Sequence, residues 1–217
     1  MNEEKQVSPY AFLSILWRAI AYAIILGAIV LVFAIDATNQ AVKEDSLTEY
    51  GQAIFLAVSA AISFVVYHRF KPFKSLGFVL GIFYTVLFIR EQDAFLENNL
   101  FDNAWQVFAI VAVIPLIIYL FRNFRLFTSQ LYLVRNSLFI GVLTIGFLIV
   151  QLYSRLYGKG KFWESLMGED NYMRSVKDAS EESIELLGYA ILFLGTVEMY
   201  RYASKSFNDK ATERTQL

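Results

Sequence analysis

Apolar residues fall in six long runs, at about 12–35, 50–70, 74–92, 103–122, 132–155 and 182–202. A hydrocarbon layer about 30 Å thick needs roughly 20 helical residues at about 1.5 Å of rise each, and every run approaches that length. The pattern predicts an all-α fold: a polytopic membrane helix bundle with six transmembrane helices, residues 1–217 forming a single membrane domain. Phe, Tyr and Trp recur near the ends of the runs, where amphipathic rings sit at headgroup level. Between the second and third runs lies only His68-Arg69-Phe70-Lys71-Pro72-Phe73-Lys74, a proline-stopped turn flanked by bases. The longest connection, 157–181, carries Phe162-Trp163-Glu164-Ser165-Leu166-Met167, whose amphipathic pattern predicts a short interfacial helix. Pro115 predicts a kink in the fourth span.

Composition supports this reading. The chain is 57% hydrophobic and 18% charged, against about 45–50% and about 25% in soluble domains. Too few polar groups remain to cover a water-facing surface, so the lipid bilayer is an expected partner. The first run is read as a retained span, because its leading residues carry two acids against one Lys and its apolar stretch is longer than a signal peptide needs.

Lys and Arg set the orientation. With the N-terminus inside, the cytoplasmic segments hold 12 of the 19 basic residues: Lys5, Arg18, Arg69, Lys71, Lys74, Arg122, Arg125, Arg135, Arg201, Lys205, Lys210 and Arg214. The other side holds seven: Lys43, Arg90, Arg155, Lys159, Lys161, Arg174 and Lys177. That bias is the positive-inside sense. It predicts an N-in, C-in protein of a bacterial-type inner or plasma membrane, with both termini cytoplasmic.

Several chemistries are excluded. There is no cysteine and only one histidine, His68, so thiolate nucleophiles, disulfides and multi-histidine metal sites are ruled out. No basic nucleic-acid surface is present, and no cofactor motif: no Gly-rich phosphate loop, Ser/His/Asp set or HExxH occurs. No cofactor and no nucleic-acid partner is expected, and whether any metal binds, and the oligomeric state, stay open.

Ionisable residues inside the spans are the remaining signal. Only twelve residues, Leu186 to Val197, separate Glu185 from Glu198, about 18 Å of helix where about 30 Å must be crossed. At least one of these glutamates therefore lies at hydrocarbon depth. Arg201, three residues from Glu198, offers it a partner with which to snorkel, and Arg18 is read as snorkelling at the same edge. Glu182, Glu185 and Tyr189 share a helical face with Asp178. Glu181 and Glu182 are explained by acids favouring a helix start, with Ser180 as N-cap.

The third span has a short apolar run, Ser75 to Ile89, so its helix is expected to continue through Arg90-Glu91-Gln92-Asp93, with Arg90 pairing to Asp93 or to Glu185. In the fifth span Ser137, Gly141, Thr144, Gln151 and Arg155 fall on one stripe. In the second, Glu49, Gln52, Ser59 and Ser63 do the same. Their small members, Ser59, Ser63, Gly141 and Thr144, are expected to be helix-packing positions. The candidate site is an outer polar cluster of Glu49, Arg90, Glu91, Asp93, Gln151, Arg155, Glu182, Glu185 and Tyr189. If it converges, its surplus of carboxylates suits a cation or a proton.

Three function classes follow. The leading expectation is a small transporter or channel using the outer carboxylates for a cation or proton. A structural or regulatory subunit without catalytic activity comes second, its charges merely pairing. A lipid-modifying intramembrane enzyme comes last, since no nucleophile or histidine set supports it.

Overall fold

A computed structural model describes residues 9–38 and 46–215. Lys5 and Lys43, used in the orientation argument, lie outside the described residues, as do the side chains of Lys210 and Arg214. The described chain is all-helical, with no strand. Its α-helices are α1 (Pro9–Thr38), α2 (Leu47–Arg69), α3 (Lys74–Glu91), α4 (Asp93–Asn99), α5 (Ala104–Val134), α6 (Leu138–Leu148), α7 (Ser154–Tyr157), α8 (Gly160–Met167) and α9 (Arg174–Thr215). A π turn, Ile149–Tyr153, joins α6 to α7 in one continuous rod. Among the described residues six helical segments are long and apolar enough to cross a membrane: Phe12–Asp36, Leu47–Arg69, Lys71–Glu91, Ala104–Val134, Leu138–Tyr157 and Arg174–Asn208.

Helix α9 is the central post, packed by α1, α2, α6 and the π turn. Cross-helix contacts give the directions. Gln52 reaches Glu182 at one end and Phe70 meets Tyr200 edge to face at the other, so α2 and α9 run parallel. Arg90 meets Glu185 and Phe73 meets Tyr202, so α3 is antiparallel to both. One continuous core, including Leu56, Val66, Phe73, Tyr84, Phe139, Leu143, Val150, Leu192 and Met199, fills the space between α2, α3, α6 and α9. Inside it the Tyr84 hydroxyl lies 2.7 Å from Thr196 Oγ1, which satisfies both groups away from solvent.

Local chemistry fixes the helix ends. Ser46 N-caps α2, its hydroxyl accepting from Glu49 N at 3.2 Å. Asp36, 2% exposed at the end of α1, accepts from the backbone N–H of Leu47 (3.2 Å) and Thr48 (2.7 Å) and from the Thr48 hydroxyl (2.6 Å). A carboxylate there satisfies orphan donors and opposes the positive end of the helix dipole. At the other end of the bundle, buried Gln130 of α5 accepts from the N–H groups of Ser75 (2.9 Å) and Leu76 (3.3 Å), capping α3 from a helix far along the chain. Helices α2 and α3 touch backbone to backbone at Gly77, where a Cβ would sit 2.6 Å from Tyr67 N and 2.7 Å from Ser63 O.

Several sequence expectations are corrected. Helix α3 does not continue through Asp93: it ends at Glu91, Gln92 leaves helical geometry (φ −103°, ψ 20°), and Asp93 begins α4, where its carboxylate accepts from Ala94 N. The three 3₁₀ residues Lys71–Phe73 lengthen that span from its other end instead. The fourth span departs from helical dihedrals at Asn123 (φ −123°, ψ 21°), not at Pro115. Helical structure then resumes to Val134, so a segment expected to be loop is helix.

In the fifth span, Gly141 and Thr144 face outward, and a Cβ at Gly141 would meet nothing. The packed face is Phe139, Leu143, Gly146, Val150 and Ser154. By contrast Ser59 and Ser63 are buried, as expected of packing positions. The connection 157–181 is mostly helical: α8 occupies Gly160–Met167 and α9 already starts at Arg174. Trp163 of α8 turns inward, donating to the Tyr157 carbonyl at 2.8 Å, while Phe162 and Leu166 stay exposed.

Candidate functional site

The end of the bundle where α2 and α9 begin gathers the candidate groups. Helix periodicity on α9 sends Glu182, Glu185 and Tyr189 to neighbouring helices, and the last turn of α3 supplies Arg90 and Glu91. The π turn then aims Ser154 and Arg155 at the same place. A π turn inserts an extra residue per turn, so the residues beyond it present a different face from that of a straight helix.

Glu185 is the hub. Its side chain is 4% exposed and lies between two guanidiniums, Arg155 Nη2 at 3.1 Å and Arg90 Nη2 at 3.7 Å. The buried Ser154 hydroxyl shares its one proton between the Val150 carbonyl at 2.7 Å and Glu185 Oε1 at 3.1 Å. Arg155 also reaches Glu181 (3.6 Å), which takes a second ion pair from Lys177 at 2.9 Å. Arg90 reaches Glu91 at 3.7 Å, and the buried Tyr189 hydroxyl donates to Glu91 Oε1 at 2.7 Å. A buried charge of this kind needs both a counter-ion and hydrogen bonds, and Glu185 has both.

Glu182 is held differently. Its carboxylate accepts from Gln52 Nε2 at 2.9 Å, and the same amide nitrogen contacts the Glu182 carbonyl at 3.3 Å. Among the described residues no Lys or Arg forms an ion pair with it. Glu49, Glu181 and Glu185 all lie near enough to repel it. Gln52 is fully buried, and its Oε1 has no hydrogen-bond partner.

Of the nine sequence candidates, six join this network: Arg90, Glu91, Arg155, Glu182, Glu185 and Tyr189. Glu49 sits beside it on the first turn of α2. Two do not join it. Asp93 is exposed at the first residue of α4, beyond the break at Gln92, where its carboxylate accepts from Ala94 N; it lies near Arg90 without forming an ion pair with it. Gln151 lies half-buried within the π turn and makes no hydrogen bond to these groups.

Sequence reasoning missed Ser154, Lys177 and the pairing of Glu181. Lys177 and Glu181 stand at i and i+4, a spacing that signals an ion pair once the helix is known to start at Arg174. Ser154 carries no comparable signal, since its inward direction depends on the π turn.

Glu198, at the opposite end, is also corrected. Its principal partners come from α1: Arg18 Nη1 lies 3.3 Å from Oε2, and the Tyr22 hydroxyl donates to Oε1. Arg201 is only marginally close, at 4.0 Å. Arg18 is therefore a tie between α1 and α9, not merely a snorkelling side chain.

Among the described residues no three His, Asp or Glu side chains come together as a metal-ligand group. The network is thus a carboxylate–guanidinium lattice with one amide-held carboxylate at its side. No protein-family model matches the chain, and no curated protein or solved structure is similar enough to it to match.

Proposed function

We propose that the chain is a six-span integral membrane protein with both termini cytoplasmic. In this reading it is a small transporter or channel whose outer cluster takes up a proton or small cation. The observation that carries the reading is Glu182. Arg90, Arg155 and Lys177 are committed to Glu91, Glu181 and Glu185, which leaves Glu182 with an amide donor, repelling neighbours and the unpartnered oxygen of Gln52 beside it. A proton on Glu182, or a cation between Glu182 and Gln52 Oε1, relieves that imbalance. The 12-to-7 division of basic residues supports the orientation.

A second reading has its own observation. Glu185 is so completely paired, by two guanidiniums and a hydroxyl, that the hub itself acts as a clamp on α3, α7 and α9. A structural subunit needs no more than that.

Reconstitution separates the two. Vesicles with an internal pH or cation dye and an imposed diffusion potential should show protein-dependent flux for wild type. Glu182→Gln should slow it without lowering the melting temperature much. Flux equal to that of empty vesicles for protons, Na⁺ and K⁺ would sink the transport reading and leave the structural one.

A further inference from the structure

At the end of the bundle opposite the carboxylate network, α1 and α9 line a groove of about 430 Å³. Trp17, Arg18 and Arg201 line it toward the helix ends on that side, and Ala21, Ile25, Phe193, Leu194 and Val197 line it farther along the two helices. From Arg201 back to Phe193 is eight residues, about 12 Å of helix. One leaflet of hydrocarbon is about 15 Å deep, half of about 30 Å. A groove with bases at one end and apolar side chains for most of a leaflet's depth can hold one acyl chain of a lipid beneath its headgroup.

Charge decides which lipid. Among the described residues Glu198 is the acid of this cluster, and it is engaged by Arg18 at 3.3 Å and by the Tyr22 hydroxyl. Arg201, at 4.0 Å and half exposed, is held only loosely, so two guanidiniums face one carboxylate and one positive charge is left over. Lys205 stands one turn beyond Arg201, exposed on the same helix. The carboxylate that could receive a choline or ammonium headgroup is already occupied, whereas a phosphate bearing a net negative charge finds Arg201, and Trp17, 64% exposed, flanks it at the level where indoles favour the interface.

We propose that this groove binds an anionic phospholipid of the leaflet at that end, with its phosphate on Arg201 and Arg18 and one acyl chain along Ile25, Phe193 and Leu194. The proposal rests on the membrane placement above, but not on the transport reading. Arg18 already joins α1 to α9 through Glu198, so a lipid filling the groove would extend the contact of the loosely packed α1 with the rest of the bundle.

The test uses the full chain, purified in a neutral detergent and stripped of lipid. Phosphatidylglycerol, phosphatidylcholine or inorganic phosphate is added, with bound lipid counted by native mass spectrometry and stability followed by melting temperature. Phosphatidylglycerol should bind at one per chain and raise the melting temperature, while phosphatidylcholine binds much more weakly and phosphate alone does nothing. A juxtamembrane base contributes about 1 kcal/mol, about a fivefold change in binding, so Arg201→Gln should weaken phosphatidylglycerol binding about fivefold. It leaves the Arg18–Glu198–Tyr22 tie intact, so folding is not at stake. Equal binding of the two lipids, an unchanged affinity in Arg201→Gln, or a full shift with inorganic phosphate alone would each overturn the proposal. Membrane placement is checked separately by carbonate washing. A chain washed from membranes refutes that placement, whereas a retained chain that ignores phosphatidylglycerol refutes only the lipid site.

Discussion

Arg155 Nη2 stands 3.1 Å from Glu185 Oε1, bridging the short helix after the π turn to the central post of the bundle. The contact spans 30 residues of chain, and the same carboxylate takes Arg90 from α3. Three helices thus depend on one buried acid. Ser154, next to Arg155 and fully buried, divides its hydroxyl proton between the Val150 carbonyl and the same oxygen.

That dependence predicts an order of effects. Breaking a buried pair from one side costs about 3–5 kcal/mol, and Glu185→Gln should lie near the lower end, about 3 kcal/mol, because Arg155 is partly exposed and can turn outward. Glu181→Gln removes ion pairs from Lys177 and Arg155 nearer the rim, where such pairs are worth about 1 kcal/mol or less. Melting temperatures in one detergent should therefore fall in the order wild type, Glu181→Gln, Glu185→Gln. Indistinguishable values for wild type and Glu185→Gln would show that the hub does not hold the helices.

Gly77 makes a second prediction. The atoms a Cβ would meet at 2.6 and 2.7 Å belong to the α2 backbone, Tyr67 N and Ser63 O, and cannot rotate away as a side chain could. Gly77→Ala should force α2 and α3 apart, at a cost of about 1–3 kcal/mol. Gly141→Ala, inside α6 at a position with nothing nearby, serves as the control and should leave the melting temperature unchanged or slightly raised, since Ala is the better helix former. Equal effects from the two would mean that α2 and α3 are not so closely packed.

Topology gives the third prediction. Lys71, in the turn between α2 and α3, is expected inside, and Lys161, on α8, outside. The chain has no cysteine, so Lys71→Cys and Lys161→Cys can each be labelled without background. An impermeant maleimide applied to intact cells should label residue 161 and reach residue 71 only after the cells are opened. The reverse pattern would invert the orientation and place the carboxylate network on the cytoplasmic side.

Much of this architecture was legible in the sequence, for physical reasons. Six apolar runs of bilayer length leave a helix little alternative, because unpaired backbone groups are not tolerated in hydrocarbon. If the helices cross a bilayer, the short distance between Glu185 and Glu198 likewise requires an ionisable group at depth, and Arg90 stood out as a base able to reach Glu185. What the sequence could not decide was which face of each span turns inward. In water an apolar stripe marks the buried face, but lipid-facing and protein-facing surfaces are both apolar, so Gly141 and Thr144 seemed as suitable for packing as Gly146 and Ser154 proved to be.

Local breaks were similarly hidden. The departure from helix at Gln92, which removes Asp93 from the site, and the π turn that brings in Ser154 and leaves Gln151 aside depend on what neighbouring helices offer once packed. The pairing of Glu198 with Arg18 and Tyr22, 180 and 176 residues away, also required α1 to lie against α9. Hydropathy and charge determined the number of helices long and apolar enough to cross a membrane and the ionisable residues at issue. Helix rotation, register and long-range contact, which only tertiary packing sets, decided which of those charges meet.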